Sequence, residues 1–192
     1  MNRFIMADPQ KCIGCRTCEI ACVVAHSQNQ DVSALDAANF TPRLHLLKGG
    51  NVSTVVLCRQ CDDAPCASVC PNGAISQSDG MVKVAQERCI GCKACGMACP
   101  YGVMEVITRP VVHHGNALMF PAAEKAEAHK CDLCTGRANG PACMEFCPTD
   151  ALHCIDQQLL QKMNAEKRRP RRPQHTVVGD VSMNRFLLEE RP

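Results

Sequence analysis

Residues 89–100 read CIGCKACGMACP and residues 12–22 read CIGCRTCEIAC. In both, the second cysteine follows the first by three positions, the third follows the second by three, and the fourth follows the third by four. Two looser copies read CRQCDDAPCASVCP at 58–71 and CDLCTGRANGPACMEFCP at 131–148. There the gap between second and third cysteines widens to four and eight residues, yet the final step of four is kept. Three of the copies end in Cys-Pro: Cys70-Pro71, Cys99-Pro100 and Cys147-Pro148. Sixteen of the 17 cysteines thus fall into group I (Cys12, Cys15, Cys18, Cys22), group II (Cys58, Cys61, Cys66, Cys70), group III (Cys89, Cys92, Cys95, Cys99) and group IV (Cys131, Cys134, Cys143, Cys147). Cys154 stands apart.

The rest of the composition makes these groups decisive. The 192 residues are 46% hydrophobic with a net charge of +2, but only 3% are aromatic, with no Trp and a single Tyr (Tyr101). The bulky rings that dominate most cores are scarce, so inorganic cofactors are expected to supply volume and cross-links. A disulfide scaffold is disfavoured: residues 1–10 hold no signal-peptide pattern, and the expected compartment is the reducing cytoplasm. No apolar run reaches the length of a membrane span, so none is predicted. Structural zinc would use CxxC pairs and would leave three CxxxCP elements without a purpose.

Quartets at this spacing point to iron. Groups I and III carry the two-two-three spacing of bacterial ferredoxins, and four [4Fe-4S] clusters are predicted. Three close cysteines on a turning loop can hold three corners of a cubane, with Gly14 and Gly91 letting backbone N–H groups approach the sulfurs. The third and fourth cysteines share one helix face at about 6 Å of rise, so each such helix serves two neighbouring clusters, and the following proline stops it.

Linker lengths suggest which groups exchange their fourth cysteine. The 18 residues between groups II and III read as strand, a turn at Ser78-Asp79-Gly80, and strand, whereas the linkers after groups I and III have 35 and 31 residues. The expected pairing is nested. Cys12, Cys15 and Cys18 share a cluster with Cys147, and Cys131, Cys134 and Cys143 share one with Cys22. Cys58, Cys61 and Cys66 go with Cys99, and Cys89, Cys92 and Cys95 with Cys70. Strand-like FIMA (4–7) is expected beside ALHCI (151–155), and VVL (55–57) beside MEVIT (104–108). Residues alone leave open a tandem pairing of I with II and III with IV.

The predicted fold class is α+β: two nested bacterial-ferredoxin-like modules with short helices and small two-stranded sheets around four iron-sulfur clusters. Residues 1–50 plus 126–158 form the outer module. Residues 51–125 form the inner one, with a partner-facing insertion at 109–130, and residues 159–192 form a basic tail.

The strings MNRFIMAD, CIGCRTCEIAC, CRQCDDAPCASVCPNGAIS, ERCIGCKACGMACPYG and KCDLCTGRANGPACMEFCPTDAL carry a resemblance over roughly residues 1–156. The chain resembles the four-cluster electron-transfer subunits that accompany molybdopterin enzymes of the dimethyl sulfoxide reductase superfamily, on the soluble, HydN-type and formate-hydrogenlyase branch. The resemblance implies a wire from a molybdenum or tungsten formate dehydrogenase to a hydrogenase or other acceptor. Some relatives replace the third cysteine of group III with Trp and hold a [3Fe-4S] cluster; Cys95 stands there in this chain. A freely diffusing polyferredoxin and an assembly factor for a formate dehydrogenase or hydrogenase are the competing readings. A non-catalytic role is expected, since no phosphate-cradling loop or nucleophile-base constellation occurs.

Outside the quartets, Cys154 reads as a structural thiol in an apolar strand. Arg16, Arg59, Lys93 and Lys130 lie in or beside the motifs, where a cation offsets cluster charge or is simply solvated. The histidines show no paired spacing for a Rieske-type site. The run KMNAEKRRPRR (162–172) holds six basic residues and one acid, but without interleaved aromatics it reads as a solvated tail or docking arm rather than a nucleic-acid site.

Overall fold

The computed structural model describes residues 2–111 and 123–168. Its elements are β1 (Phe4–Ala7), α1 (Thr17–His26), β2 (Leu44–Gly49), β3 (Val52–Leu57), α2 (Pro65–Ser68), β4 (Ile75–Ser78), β5 (Met81–Val84), α3 (Ala94–Ala98), β6 (Glu105–Val111), β7 (Ala123–His129), α4 (Ala142–Glu145), β8 (Leu152–Ile155) and α5 (Gln157–Arg168), with 3₁₀ turns at Val32–Ala34 and Gln86–Arg88. The strands form four two-stranded antiparallel sheets: β1–β8, β2–β3, β4–β5 and β6–β7. Short helices and small sheets thus make the α+β architecture expected of nested ferredoxin-like modules.

Sheet β1–β8 joins the start of the chain to the segment after group IV, with Phe4 opposite Ile155 and Ala7 opposite Leu152, as FIMA and ALHCI suggest. The β4–β5 hairpin turns on Asp79 (φ 53°) and Gly80 (φ 70°), the left-handed pair that matches the twist of two flanking strands. The VVL–MEVIT pairing does not form. Val55, Val56 and Leu57 pair instead with Leu46, His45 and Leu44, and β6 pairs with β7 from Glu105–His129 to Val111–Ala123. The β2–β3 arms are joined by the two residues Gly50-Asn51, which closes a much shorter loop than pairing with residues 104–108 would, at smaller entropic cost. Much of the expected insertion is therefore strand; residues 112–122 lie outside the described part.

The helices are shorter than a continuous CxxxC bridge requires, except in group I. Helices α2 and α4 are one turn each, and Cys70 and Cys147 lie just past their ends; Cys99 caps α3. All three are followed by proline, which cannot continue a helix. Cys22 is followed by Val23, and α1 accordingly runs on for another turn to His26.

Two apolar clusters form the core. One gathers Ile5, Leu44, Val55, Leu57, Met81, Leu133 and Leu152 around Cys18, Cys22, Cys131 and Cys143. The other gathers Ala64, Ile75, Val82, Met104 and Ala128 around Cys95. Leu57 and Met81 come from segments assigned above to the inner module, and the 50/51 boundary falls in the turn of the β2–β3 hairpin. Residues 1–157 form one compact unit and residues 158–192 a second. In the second, the described part is the polar helix α5, which carries the first half of the basic run; residues 169–192 lie outside the described part. Among the described residues no helix is long and apolar enough to cross a membrane.

Candidate iron-sulfur sites

Three cavities are each lined by four cysteines, three from one group and the fourth from another. Site A holds Cys12, Cys15, Cys18 and Cys147, walled by Ala7, Leu46, Val55 and Leu152. Site B holds Cys58, Cys61, Cys66 and Cys99, walled by Val82, Val103 and Met104. Site C holds Cys70, Cys89, Cys92 and Cys95, walled by Ala74, Ile75, Val106 and Ala128. The remaining four, Cys22, Cys131, Cys134 and Cys143, form site D; each of the last three lies near enough to Cys22 to interact with it electrostatically. Cys154 lines none of these cavities and sits in β8 opposite Ile5.

These surroundings fit a cuboidal iron-sulfur group. The cysteines supply only sulfur donors, and the walls of sites A, B and C are largely apolar. Backbone N–H groups already point at sulfur: Ala151 donates to Cys147 and Ala74 to Cys70 at 3.3 Å, while Gln60 donates to Cys58 and Arg43 to Cys22 at 3.4 Å. The loops that carry the first two cysteines have no room for side chains at the glycines. Gly14 (φ 68°) faces Lys48 and Ser53 of the β2–β3 hairpin, and a Cβ on Gly91 (φ 71°) would fall on Ala126 Cβ.

The thiols differ in how readily they ionise. Burial pushes Cys131 up to about 12 and Cys18 and Cys66 up to about 11; Cys143 also shifts upward, again by burial. At Cys70 and Cys147 burial acts in the same sense, but the N–H groups that follow each Cys-Pro outweigh it and hold the thiol below its usual value. The Thr17 hydroxyl, 3.3 Å from Cys15 Sγ, lowers that thiol. Iron binds thiolates, so loading the buried groups must displace protons that burial favours.

Site D is flanked by charge that the sequence does not signal. His26 lies one turn past Cys22 on α1, with Nδ1 2.7 Å from the Cys22 carbonyl and Nε2 3.0 Å from Asp132 Oδ1. Arg43 also pairs with Asp132. Burial alone would lower His26, but its bonds to Asp132 and Cys22 raise it to about 10, leaving an imidazolium–carboxylate pair beside the thiols. Donor atoms of His26, Asp132 and Cys134 lie within 4.8 Å of one another, with the first two already bonded together. The four cations singled out above distribute over the sites: Arg16 lines site A, Lys93 site C, and Arg59 and Lys130 site B. Arg59 also lies 5.6 Å from the Phe4 ring and 5.9 Å from that of Tyr101.

A 4Fe-4S dicluster domain model matches residues 53–113, the stretch that contains groups II and III. The electron transport protein HydN of Escherichia coli K12 is 62% identical over 88% of this chain and 97% of its own length. A probable iron-sulfur protein of the Frd operon of Proteus vulgaris is 54% identical over 76% of this chain and 92% of its own. Formate hydrogenlyase subunit 2 of Escherichia coli K12 is 38% identical over 88% of this chain and 89% of its own. With a cysteine complement sufficient for several cubanes, held in sulfur-only cavities, the chain belongs to the family of [4Fe-4S] electron-transport proteins that includes HydN.

Proposed function

We propose that the chain is a non-catalytic relay of four [4Fe-4S] clusters, held at sites A to D by the sixteen cysteines named above. It serves a cytoplasmic complex, between a molybdopterin-dependent catalytic chain of formate-dehydrogenase type and a hydrogenase or other redox acceptor. When bound, the clusters supply one-electron carriers. The observation that carries this reading is the borrowed fourth cysteine: each cavity takes three thiols from one group and one from another. Helix α1 therefore contributes Cys18 to site A and Cys22 to site D, and the α3 segment contributes Cys95 to site C and Cys99 to site B. Gln60 links sites D and B, since its N–H donates to Cys58 and its side chain to the Cys131 carbonyl. The sites then follow one another as A, D, B, C.

The two ends of that series are the exposed ones. Cys15 and Cys92 are the exposed cysteines, each beside an exposed isoleucine, Ile13 or Ile90. These apolar, thiol-bearing loops are where partners would meet the chain. The similarity to formate hydrogenlyase subunit 2 supports a formate-linked partner. The test is anaerobic purification with iron and sulfide counting, expecting about sixteen iron atoms per chain, followed by capture of a formate-dehydrogenase-type catalytic chain. A chain that binds zinc in place of iron would sink the proposal, as would one that turns over a substrate unaided.

A further inference from the structure

Two polar side chains meet between sites D and B, and both are buried: Gln60 is 1% exposed and Lys130 4%. Lys130 Nζ donates to the Cys131 carbonyl at 2.9 Å and reaches Gln60 Oε1 at 3.5 Å. Gln60 is itself held on every side. Its Nε2 donates to the Cys131 carbonyl at 2.9 Å, its Oε1 accepts from the Val82 N–H at 2.8 Å, and its backbone carbonyl accepts from Asn2 Nδ2 at 2.9 Å.

Both acceptors around Nζ are therefore uncharged oxygens, and among the described residues no carboxylate forms an ion pair with it. It is also the one buried lysine or arginine among them. A buried ammonium without a counter-charge is costly. The missing negative charge is available on both sides: Lys130 lines the cavity of Cys58, Cys61, Cys66 and Cys99, and its neighbour in the chain is Cys131 of site D. Burial pushes Cys66 and Cys131 up, and the Lys130 charge opposes that rise at both thiols. Arg16 and Arg59 differ in this respect, since the Arg16 side chain is 63% exposed and Arg59 is shared with two rings.

We propose that Lys130, fixed by Gln60, is a shared positive charge that raises the reduction potentials of the clusters at sites B and D together, relative to those at sites A and C. The inference rests on the ligand reading above. Adding an electron adds negative charge, and a cation fixed in a poorly solvated interior favours the reduced form. Because one ammonium serves two sites, its removal acts on two centres at once. Lys130 acts through its field and is a positioning residue, not a ligand.

The test is an EPR-monitored redox titration of the full chain, with iron counted in every sample. Lys130→Met removes the charge and keeps most of the stem. Lys130→Arg keeps the charge. Gln60→Glu places a carboxylate against the ammonium with little change in shape. The expected result is full iron in each, with two of four midpoints moved down in Lys130→Met and Gln60→Glu, and midpoints close to wild type in Lys130→Arg. Full iron with four unmoved midpoints in either neutralising variant overturns the proposal, as does an equal downward shift in Lys130→Arg. If only Lys130→Arg retains iron, the charge serves assembly and the proposal is again overturned. Wild-type protein that lacks four cubanes would instead refute the ligand reading, a failure seen before any variant is titrated.

Discussion

The two CIGC loops are identical in sequence, yet an alanine at their glycines should have unequal effects. Gly14 and Gly91 have φ of 68° and 71°, so either substitution puts a side chain in the left-handed region, at about 1–2 kcal/mol. Gly102 (φ 62°) carries the same strain with nothing within 4 Å and serves as the reference. At Gly14 the new Cβ would meet Lys48 Cε at 2.7 Å and Ser53 Oγ at 2.8 Å, both side-chain atoms able to swing aside. At Gly91 it would land on Ala126 Cβ, a stub rooted directly on the backbone of β7 and unable to rotate away. Overpacking of that kind adds about 1–3 kcal/mol, giving about 2–5 kcal/mol in all for Gly91→Ala. For a domain of this size that corresponds to roughly 4–20 °C in melting temperature, against roughly 2–8 °C for the other two variants. Anaerobic thermal melts of the iron-loaded protein, with iron release to a chelator followed in parallel, read the difference. Ala126→Gly should restore the overpacking part of Gly91→Ala and leave the strain. Equal losses at Gly14 and Gly91, or a double variant no better than Gly91→Ala, would refute the reasoning.

Other outcomes follow from the site geometry. Cys15→Ser and Cys147→Ser should perturb the same EPR signal, and Cys134→Ser a different one; a shared signal for Cys147→Ser and Cys134→Ser would show that group IV keeps its own fourth cysteine. Cys154→Ala should leave iron content and the visible spectrum unchanged, and a loss of iron would make that thiol a ligand. Gln60→Leu leaves the Val82 N–H buried without its acceptor and removes one donor from the Cys131 carbonyl, so denaturant unfolding should show a loss of about 2–4 kcal/mol; a midpoint unchanged from wild type would mean that water replaces the amide.

What can be read from residues alone divides along a physical line. Cysteine quartets and the Asp79-Gly80 turn are local signals, because a cluster loop and a two-residue turn each demand particular residues at particular offsets. Strand pairing is a different kind of fact. LHLLKG and VSTVVL lie two residues apart, and the hairpin they form is masked because VVL matches a distant run, MEVIT, equally well in composition. The β6–β7 ladder is hidden for a related reason: AEKAEAH has weak strand propensity and becomes a strand by lying against β6. Lys130 is visible as a cation beside Cys131, but its burial is not. Gln60, Arg43 and the His26–Asp132 pair carry no sequence signal beyond the spacing of His26 from Cys22, one turn apart on a helix.

The departures of groups II and IV from the parent motif acquire a reason in three dimensions. In all four groups the residue just before the second cysteine is left-handed: Gly14, Gly91, Gln60 (φ 50°) and Leu133 (φ 58°). A non-glycine residue there costs about 1–2 kcal/mol, so sites B and D carry a strain that sites A and C avoid. At A and C a hairpin presses on the loop and excludes a side chain. At B and D the same position points inward: Gln60 bonds the Cys131 carbonyl and the Val82 N–H, and Leu133 is buried in the cluster that contains Ile5, Leu57 and Met81. The strain is thus accepted where a side chain can join the two halves of the protein. A relay whose middle step crosses between two small modules needs that junction to be rigid. Replacing Gln60 and Leu133 by the glycine of the parent motif would relax both loops while removing the groups that hold sites D and B in register.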